Sequence, residues 1–341
     1  MAPKFRGDAD DWLDEKEQGS RQLSKSKKIQ KARSLPASET NATVAEIFPN
    51  QCRVLSDDHY QSYSCVYRRS LVLRRNPEEN EVRERSPVAV GDRVKFDPIG
   101  ESEGVLVGVS SRKNQIMRPA PDRDEAFVHV LAANLDYLVI VTSTKDPEFS
   151  PGLVDRFLVA ALKQEIPVIL CVNKMDLLSV QDSVELPKWN IYNSLNIEII
   201  ELSAKRSIGI DQLKSRISSR TVAFCGHSGV GKTSLLRTLL GSDFGRVGGV
   251  NETTRKGRHT TSGAVMTIAQ GGGKYIDTPG VREFGLFGIL PKDLQTYFPE
   301  FTLLGCTENG CTHQKESNCE ARGFPRYSSY LRILESLEKS D

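Results

Sequence analysis

Two hydrophobic rhythms divide the chain. Between about residues 40 and 118 the apolar positions come in short alternating runs, ATVAEIF, CRVLS, YSCVYRR, VAVGDRVKF and GVLVGVS, with turn residues between them at Pro49-Asn50, Asn76-Pro77, Gly91-Asp92 and Gly100. Alternation with a period of two marks a half-buried strand. Five such strands in so short a stretch predict a small barrel over residues 39–120, with the OB-fold as its expected form. After 120 the runs become continuous: LDYLVIVTS (135–143), PVILCVNK (167–174), IEIIELSAK (197–205), TVAFCGHSG (221–229) and GKYIDTPG (273–280). Strands buried on both faces read this way. Between the first two, LVDRFLVAALKQE (153–165) has helical spacing, so residues 121–290 predict a doubly wound α/β domain. Beyond 290 the chain is helical and polar around a cysteine cluster and closes on YSSYLRILESLEK, which predicts a small helical domain over 291–341. Residues 1–38 have no apolar period and read as a disordered tail.

Composition narrows the class. A chain of 341 residues is long enough for two or three domains. Its 46 basic and 44 acidic residues leave a net charge of +2, so any polyelectrolyte character must be local. In the tail, acidic residues crowd 8–17, whereas SRQLSKSKKIQKARSL carries six basic residues and no acid. That second half is an arm suited to phosphates, or a solubilising tail. No run approaches the length that spans a membrane, and the N-terminus lacks the apolar core of a secretory signal. The acidic crowding also argues against an organelle transit peptide. Seven cysteines, three of them within 306–319, fit a reducing cytoplasm with a metal site better than a disulfide framework. The barrel segment holds 12 basic and 11 acidic residues from 40 to 118, so its overall charge does not argue for nucleic acid. Tyr60, Tyr63, Tyr67, Arg68-Arg69 and Arg74-Arg75 would serve an RNA-binding face, or fill the core and the surface.

Four short motifs carry the chemistry. Gly226, His227, Ser228, Gly229, Val230, Gly231, Lys232, Thr233 and Ser234 spell a phosphate loop between an apolar strand and a helix. Its glycines let backbone N–H groups wrap the β-phosphate, and the helix N-terminus adds positive potential. Lys232 would reach the β- and γ-phosphates, and Thr233 would ligate Mg²⁺. Asp277-Thr278-Pro279-Gly280 ends a strand, which suits a carboxylate for a Mg²⁺-bound water and a Gly280 N–H near the γ-phosphate. Asn173-Lys174-Met175-Asp176 reads as the guanine reader. A carboxylate accepts both N1–H and the exocyclic amine of guanine, and adenine, which would leave it unpaired, is rejected. Lys174 would lie along the base and Asn173 would tie this loop to the phosphate loop. Ser203-Ala204-Lys205 at the next strand end matches the loop whose backbone N–H meets the guanine O6.

The order is unusual, because the base reader precedes the phosphate loop. Joining the old termini and opening the chain elsewhere leaves the sheet unchanged, so the motifs predict a circularly permuted P-loop GTPase domain. The metal cluster is independent of that reasoning. Cys306, Cys311, His313 and Cys319 place three thiols and an imidazole within 14 residues. Such a set suits one tetrahedral structural Zn²⁺ and leaves no open position for catalysis. Cys52, Cys65, Cys171 and Cys225 sit in apolar runs and read as small core residues.

Together these motifs, with the runs AANLDYLVIVTS, DRFL and GRHTT, make the chain resemble the circularly permuted, small-subunit-dependent GTPases RsgA/YjeQ over residues 40–335. The resemblance implies an order of barrel, permuted GTPase and zinc domain, GTP with Mg²⁺ as the bound nucleotide, and late maturation of the 30S ribosomal subunit with contacts to its rRNA. It also implies a cytoplasmic monomer that turns GTP into GDP and phosphate. Thr260 and Thr261 both fall where the family's switch threonine lies. Signalling GTPases place a water-orienting Gln after the DxxG glycine, and here that position is Val281. An isopropyl group cannot orient water, so hydrolysis should be slow until a partner supplies what is missing. His259 is a substitute, an RNA contact or an exposed loop residue. Two other classes stay open: an RNA-binding factor with GTP as a slowly hydrolysed switch, and a signalling or transport GTPase with a protein partner.

Overall fold

The computed structural model describes residues 35–68, 83–84, 86–119, 127–179, 187–244, 246–247, 250–251, 263–278, 286–304, 311–314 and 319–339. The alternating region forms strands β1 (Ala42–Phe48), β2 (Gln51–Ser56), β3 (Ser62–Tyr67), β4 (Arg83–Glu84), β5 (Arg93–Pro98) and β6 (Glu103–Val109). Strands β1, β2 and β3 run as an antiparallel meander, β3 pairs parallel with β6, and β6 pairs antiparallel with β5. Strand β5 returns to β1 through Ala42↔Val94 and Thr43↔Arg93, which closes a five-stranded barrel. The period-two positions point inward, so Val44, Cys52, Val54, Cys65, Val94, Phe96 and Leu106 make its core. Tyr63 stacks on Phe96 at 4.8 Å, and the Tyr67 hydroxyl donates to the Gln51 carbonyl at 3.0 Å. Both aromatics are therefore engaged in the barrel itself.

Strands β7 (Gln115–Pro119) and β8 (Phe127–Ala133) form a three-stranded sheet with β4 and lead into the α/β region. There follow β9 (Tyr137–Ser143), α1 (Pro151–Lys163), β10 (Val168–Asn173), β11 (Glu198–Glu201), α2 (Ile210–Ile217), β12 (Thr221–Cys225) and α3 (Lys232–Leu240). A two-residue ribbon, β13 (Arg246–Val247) and β14 (Val250–Asn251), precedes the hairpin β15 (Val265–Ile268) and β16 (Lys274–Asp277), and α4 (Tyr327–Glu338) comes last. The spatial order is β11-β10-β9-β12-β16 in parallel, with β15 antiparallel at the end.

Continuous apolar strands arise because both faces are covered. Along β9, Leu138 and Ile140 belong to one core cluster while Val139 and Val141 belong to the other. The same alternation sorts Leu170 and Val172 from Ile169 and Cys171 on β10, and Ala223 and Cys225 from Val222 and Phe224 on β12. Each fully buried Val, Leu or Ile contributes about 1.5–3 kcal/mol, which holds these central strands in register. Burial pushes the Cys171 and Cys225 thiols up and the Cys65 thiol to about 12, so these are inert core groups.

The barrel and the α/β sheet are joined. Glu46 of β1 pairs with Val265 of β15, so eleven strands run as one sheet. Beside that pair the Lys274 ammonium donates to the Thr43 hydroxyl at 3.0 Å. Described residues of the C-terminal stretch share a core with α1: Phe157 and Leu158 join Phe298, Tyr330, Ile333 and Leu334 in one cluster. Within it Arg326 donates to Asp155 at 2.8 Å and to Glu300 at 2.9 Å, and its guanidinium lies 4.5 Å from the Phe298 ring centre. Removing one partner of so buried a pair costs about 3–5 kcal/mol. The C-terminal segment is thus pinned to the GTPase region. Among the described residues no helix is long and apolar enough to cross a membrane.

Candidate functional site

The phosphate loop lies where the central strand β12 gives way to α3, between the ends of β9 and β16. A Cβ on Gly226 would sit 2.2 Å from the Val141 carbonyl oxygen, so the loop leaves the sheet only through glycine. Gly231, at φ +90°, adopts a backbone that side chains resist, and a Cβ there would sit 2.3 Å from the Asn173 amide nitrogen. The base reader is therefore packed directly on the phosphate loop. His227, Ser228, Gly229, Thr233 and Ser234 are exposed around the mouth, Val230 and Lys232 are buried, and the His227 Nδ1 lies 2.8 Å from the Ser228 carbonyl.

Asn173 is the joint of the site. Its side chain donates to the Val230 carbonyl at 2.9 Å and accepts from the Ala204 N–H at 3.0 Å, buried on all sides. One amide thereby holds the phosphate loop, the NKMD loop and the SAK loop in a fixed relation. Lys174 takes a left-handed backbone at φ +64°, its carbonyl accepts from Thr144 at 2.9 Å, and its ammonium donates to the Asp146 carbonyl. The Met175 N–H donates to the Leu202 carbonyl at 3.2 Å, which sets the reader loop against the strand before SAK. The Ser203 hydroxyl donates to Asp176 Oδ1 at 2.5 Å. That bond is the main cause holding the Asp176 carboxyl below the usual carboxylate range, with Arg206 and Lys205 adding to it against partial desolvation. Asp176 itself is half-buried. Because Asn173 occupies the Ala204 N–H, the donor this loop has to spare is that of Lys205.

At the other end of the loop the charges meet each other. The Lys232 ammonium donates to the Thr278 carbonyl and lies 3.2 Å from Asp277 Oδ1, within ion-pair range but without hydrogen-bond geometry. Asp277 Oδ1 is buried and accepts no hydrogen bond among the described residues. Thr278 is fixed by its hydroxyl, which donates to the Phe224 carbonyl at 2.7 Å. An orphaned anionic oxygen of this kind fits a hard cation or its bound water. Gly280, Val281, His259, Thr260 and Thr261 lie outside the described residues.

Two of the expected zinc ligands, Cys311 and Cys319, each lie near a third, His313. His313 Nδ1 is 3.8 Å from Cys311 Sγ and 3.4 Å from Cys319 Sγ, and the His313 N–H donates to Cys311 Sγ at 3.4 Å. Thiolate and imidazole bound to one tetrahedral Zn²⁺ would stand roughly 3.6 Å apart, given the usual bond lengths. Among the described residues, however, no group of three or more His, Cys, Asp or Glu side chains comes together so as to hold a metal ion. Cys306 lies outside the described residues. The histidine backbone is held by α4, through the Tyr327 hydroxyl on the His313 carbonyl at 2.8 Å and the Tyr330 hydroxyl on the Thr312 carbonyl at 3.0 Å. Sequence reasoning had no access to Gln295, whose Oε1 sits 2.9 Å from His313 Nε2. Ser203 appears in the motif, but its bond to Asp176 follows only from the fold.

Comparison with known proteins agrees with this geometry. Residues 109–287 match the model of the RsgA GTPase family. A protein of Chlorobaculum parvum named small ribosomal subunit biogenesis GTPase RsgA is 38% identical over 269 residues, covering 74% of this chain and 86% of its own. A Bacteroides thetaiotaomicron protein named small ribosomal subunit biogenesis GTPase RsgA 2 is 34% identical, covering 76% and 86%. Among solved structures, YjeQ from Thermotoga maritima superposes with a TM-score of 0.67 at 28% identity, over 88% of this chain and 98% of that one. YloQ, described as a circularly permuted GTPase, shares the fold with a TM-score of 0.64 at 23% identity, over 91% and 99%. The NKMD loop packed on the glycine loop that follows it in sequence, the family match over residues 109–287 and relatives at 34–38% identity agree: this chain belongs to the RsgA GTPase family.

Proposed function

We propose that this GTPase acts in assembly of the small ribosomal subunit, binding the 30S particle and its rRNA and hydrolysing GTP with stimulation by that particle. The observation that carries the nucleotide part is the Asn173 amide, which bonds both Val230 and Ala204 and so builds one guanine-plus-phosphate site from two separated segments. The ribosomal part rests on the names of the relatives at 33–38% identity. Asp176 accepts the two guanine N–H groups, Lys174 flanks the base, and the Lys205 N–H meets O6. The N–H groups of Gly229, Val230 and Gly231 and the α3 N-terminus surround the β-phosphate, while Lys232 swings from Thr278 to the β- and γ-oxygens. Thr233 and Asp277 would hold Mg²⁺, which when bound neutralises charge developing on those oxygens.

Hydrolysis adds water to the γ-phosphorus, breaks its bond to the β–γ bridging oxygen, and yields GDP and phosphate. Val281 offers no group to orient that water. Thr260, Thr261, His259 and Gly280 are the sequence candidates for closing the site around it, and the subunit supplies or orders what is missing. Cys306, Cys311, His313 and Cys319 hold one structural Zn²⁺ that stiffens the C-terminal segment. The protein works as a cytoplasmic monomer. Turnover with and without 30S particles tests the reading: slow alone and strongly stimulated is the expected result. Binding without turnover would favour an RNA-binding factor that uses GTP as a switch, and brisk turnover indifferent to the particle would favour a signalling GTPase.

A further inference from the structure

We infer that Thr144 is a positioning residue for the NKMD loop, holding the turn that carries Lys174 and Asp176; this deepens the guanine reading above and rests on it. Strands β9 and β10 pair in parallel as far as Ser143↔Asn173, and Thr144 is the next residue. Its N–H donates to the Asn173 carbonyl at 3.1 Å, and its hydroxyl donates to the Lys174 carbonyl at 2.9 Å. The second bond is the informative one. Lys174 stands in the left-handed region, which a residue with a Cβ enters only at a cost, so something must hold it there. Its carbonyl also accepts from the Leu177 N–H at 2.9 Å, which closes the 3₁₀ turn around Asp176. A carbonyl has two lone pairs, and here the turn uses one and the Thr144 hydroxyl uses the other. Thr144 thus fixes, from the end of a central strand, the carbonyl on which the Asp176 turn is built.

The same stretch also holds the lysine side chain. The Lys174 ammonium donates to the Asp146 carbonyl, and the Ser143 hydroxyl donates to the Pro147 carbonyl at 2.7 Å. A Cβ on Gly229 would sit 3.5 Å from Pro147 Cδ, so these residues border the phosphate loop as well. Phe149 anchors them, buried with its ring centroid 5.7 Å from that of Trp189 and 6.1 Å from that of Tyr192. Thr144 is itself 8% exposed, and removing its hydroxyl would leave the Lys174 carbonyl short of a partner that water does not readily replace. The joint between NKMD and the phosphate loop runs through Asn173 and Val230 instead, so it stays intact. Losing the hydroxyl should therefore turn the Asp176 carboxylate away from the base without touching the phosphate end.

The test uses the full-length chain and Thr144→Val, which keeps the volume and removes the hydroxyl. GTP affinity, read by competition with a fluorescent nucleotide, should weaken about 3- to 10-fold, while phosphate release at saturating GTP stays near native. Inosine triphosphate lacks the exocyclic amine that Asp176 would accept, so its affinity should fall less and the native preference for GTP over it should narrow. Thr144→Ser keeps the hydroxyl and should restore both affinity and preference. If Thr144→Val does not fold, proton spectra of the native chain decide: a slowly exchanging Thr144 hydroxyl proton is expected, and a freely exchanging one overturns the inference. Unchanged affinity in Thr144→Val, or equal weakening towards GTP and inosine triphosphate, overturns the inference alone. A native chain that binds adenosine triphosphate as tightly as GTP overturns the guanine reading and the inference with it.

Discussion

The two ends of the nucleotide site are prepared differently. At the expected guanine end the loops are tied together before any ligand arrives: Asn173 bonds two loops, and Ser203 holds Asp176 Oδ1. At the phosphate end Lys232 rests on Thr278 and Asp277, while Asp277 Oδ1 accepts nothing among the described residues. On the proposed reading, recognition of the base would draw on loops already joined by hydrogen bonds. On the same reading, chemistry would require Lys232 to exchange Thr278 and Asp277 for phosphate oxygens. The difference teaches that selectivity and turnover in this chain are separable, since they draw on different residues in different states of readiness.

The largest effect should come from reversing the reader. Asp176→Asn replaces an acceptor by a donor, so preference between GTP and xanthosine triphosphate should shift by about 10⁴-fold towards the latter. Turnover at saturating xanthosine triphosphate should stay near the native GTP value, measured as phosphate release. A matching loss of turnover would show that the two ends are not separable.

Next in size is the phosphate end. Lys232→Ala removes the cation that meets developing charge, and turnover should fall by about 10²- to 10³-fold. The ratio of GTP to xanthosine triphosphate affinity, read by competition with a fluorescent nucleotide, should not change. A changed ratio would mean that the lysine also shapes the reader.

The smallest effect sharpens the comparison within the guanine end. Ser203→Ala removes the hydrogen bond that mainly holds the Asp176 carboxyl low, and GTP should bind about 3- to 10-fold more weakly at neutral pH. The sign with pH follows from the ionised carboxylate being the form that accepts guanine. In the native chain binding is complete above the usual carboxylate range and is lost only as pH falls through the depressed value. In the variant the loss should begin at higher pH, because the carboxyl titrates nearer its ordinary value. Identical profiles from pH 4 to 7 would show that Ser203 does not position the carboxylate.

What could be read from the chain follows the length scale of each interaction. GHSGVGKTS and NKMD are contiguous, and their chemistry needs only a strand before and a turn after, so period and motif sufficed. The barrel strands were legible because one face of each is apolar, but its closure through Ala42↔Val94 joins positions 52 residues apart. Tyr63 and Tyr67 stood open as an RNA-binding face or filler, since aromatic content does not say which way a ring turns; the fold places Tyr63 on Phe96. Arg326 and Asp155 are 171 residues apart, and nothing local marks either as the other's partner. The same holds for Gln295, an ordinary polar residue until His313 folds against it. The sequence marks a small helical domain over 291–341, and Phe298, Phe301 and Tyr330 of that stretch pack with Phe157 and Leu158 of α1. Apolar residues announce burial without naming the surface that buries them.

The pairing of Glu46 with Val265 also bears on solubility. Strand β15 would otherwise be the outer edge of the GTPase sheet, a row of N–H and C=O groups open to any passing chain. Strand β1 meets that edge at Val265, and it belongs to a barrel whose own strands close on each other. A GTPase region cut away from its barrel would carry an unprotected strand, with Met266 and its buried neighbours beside it. Cutting the α/β region from its barrel would remove the Glu46–Val265 pairing from that edge.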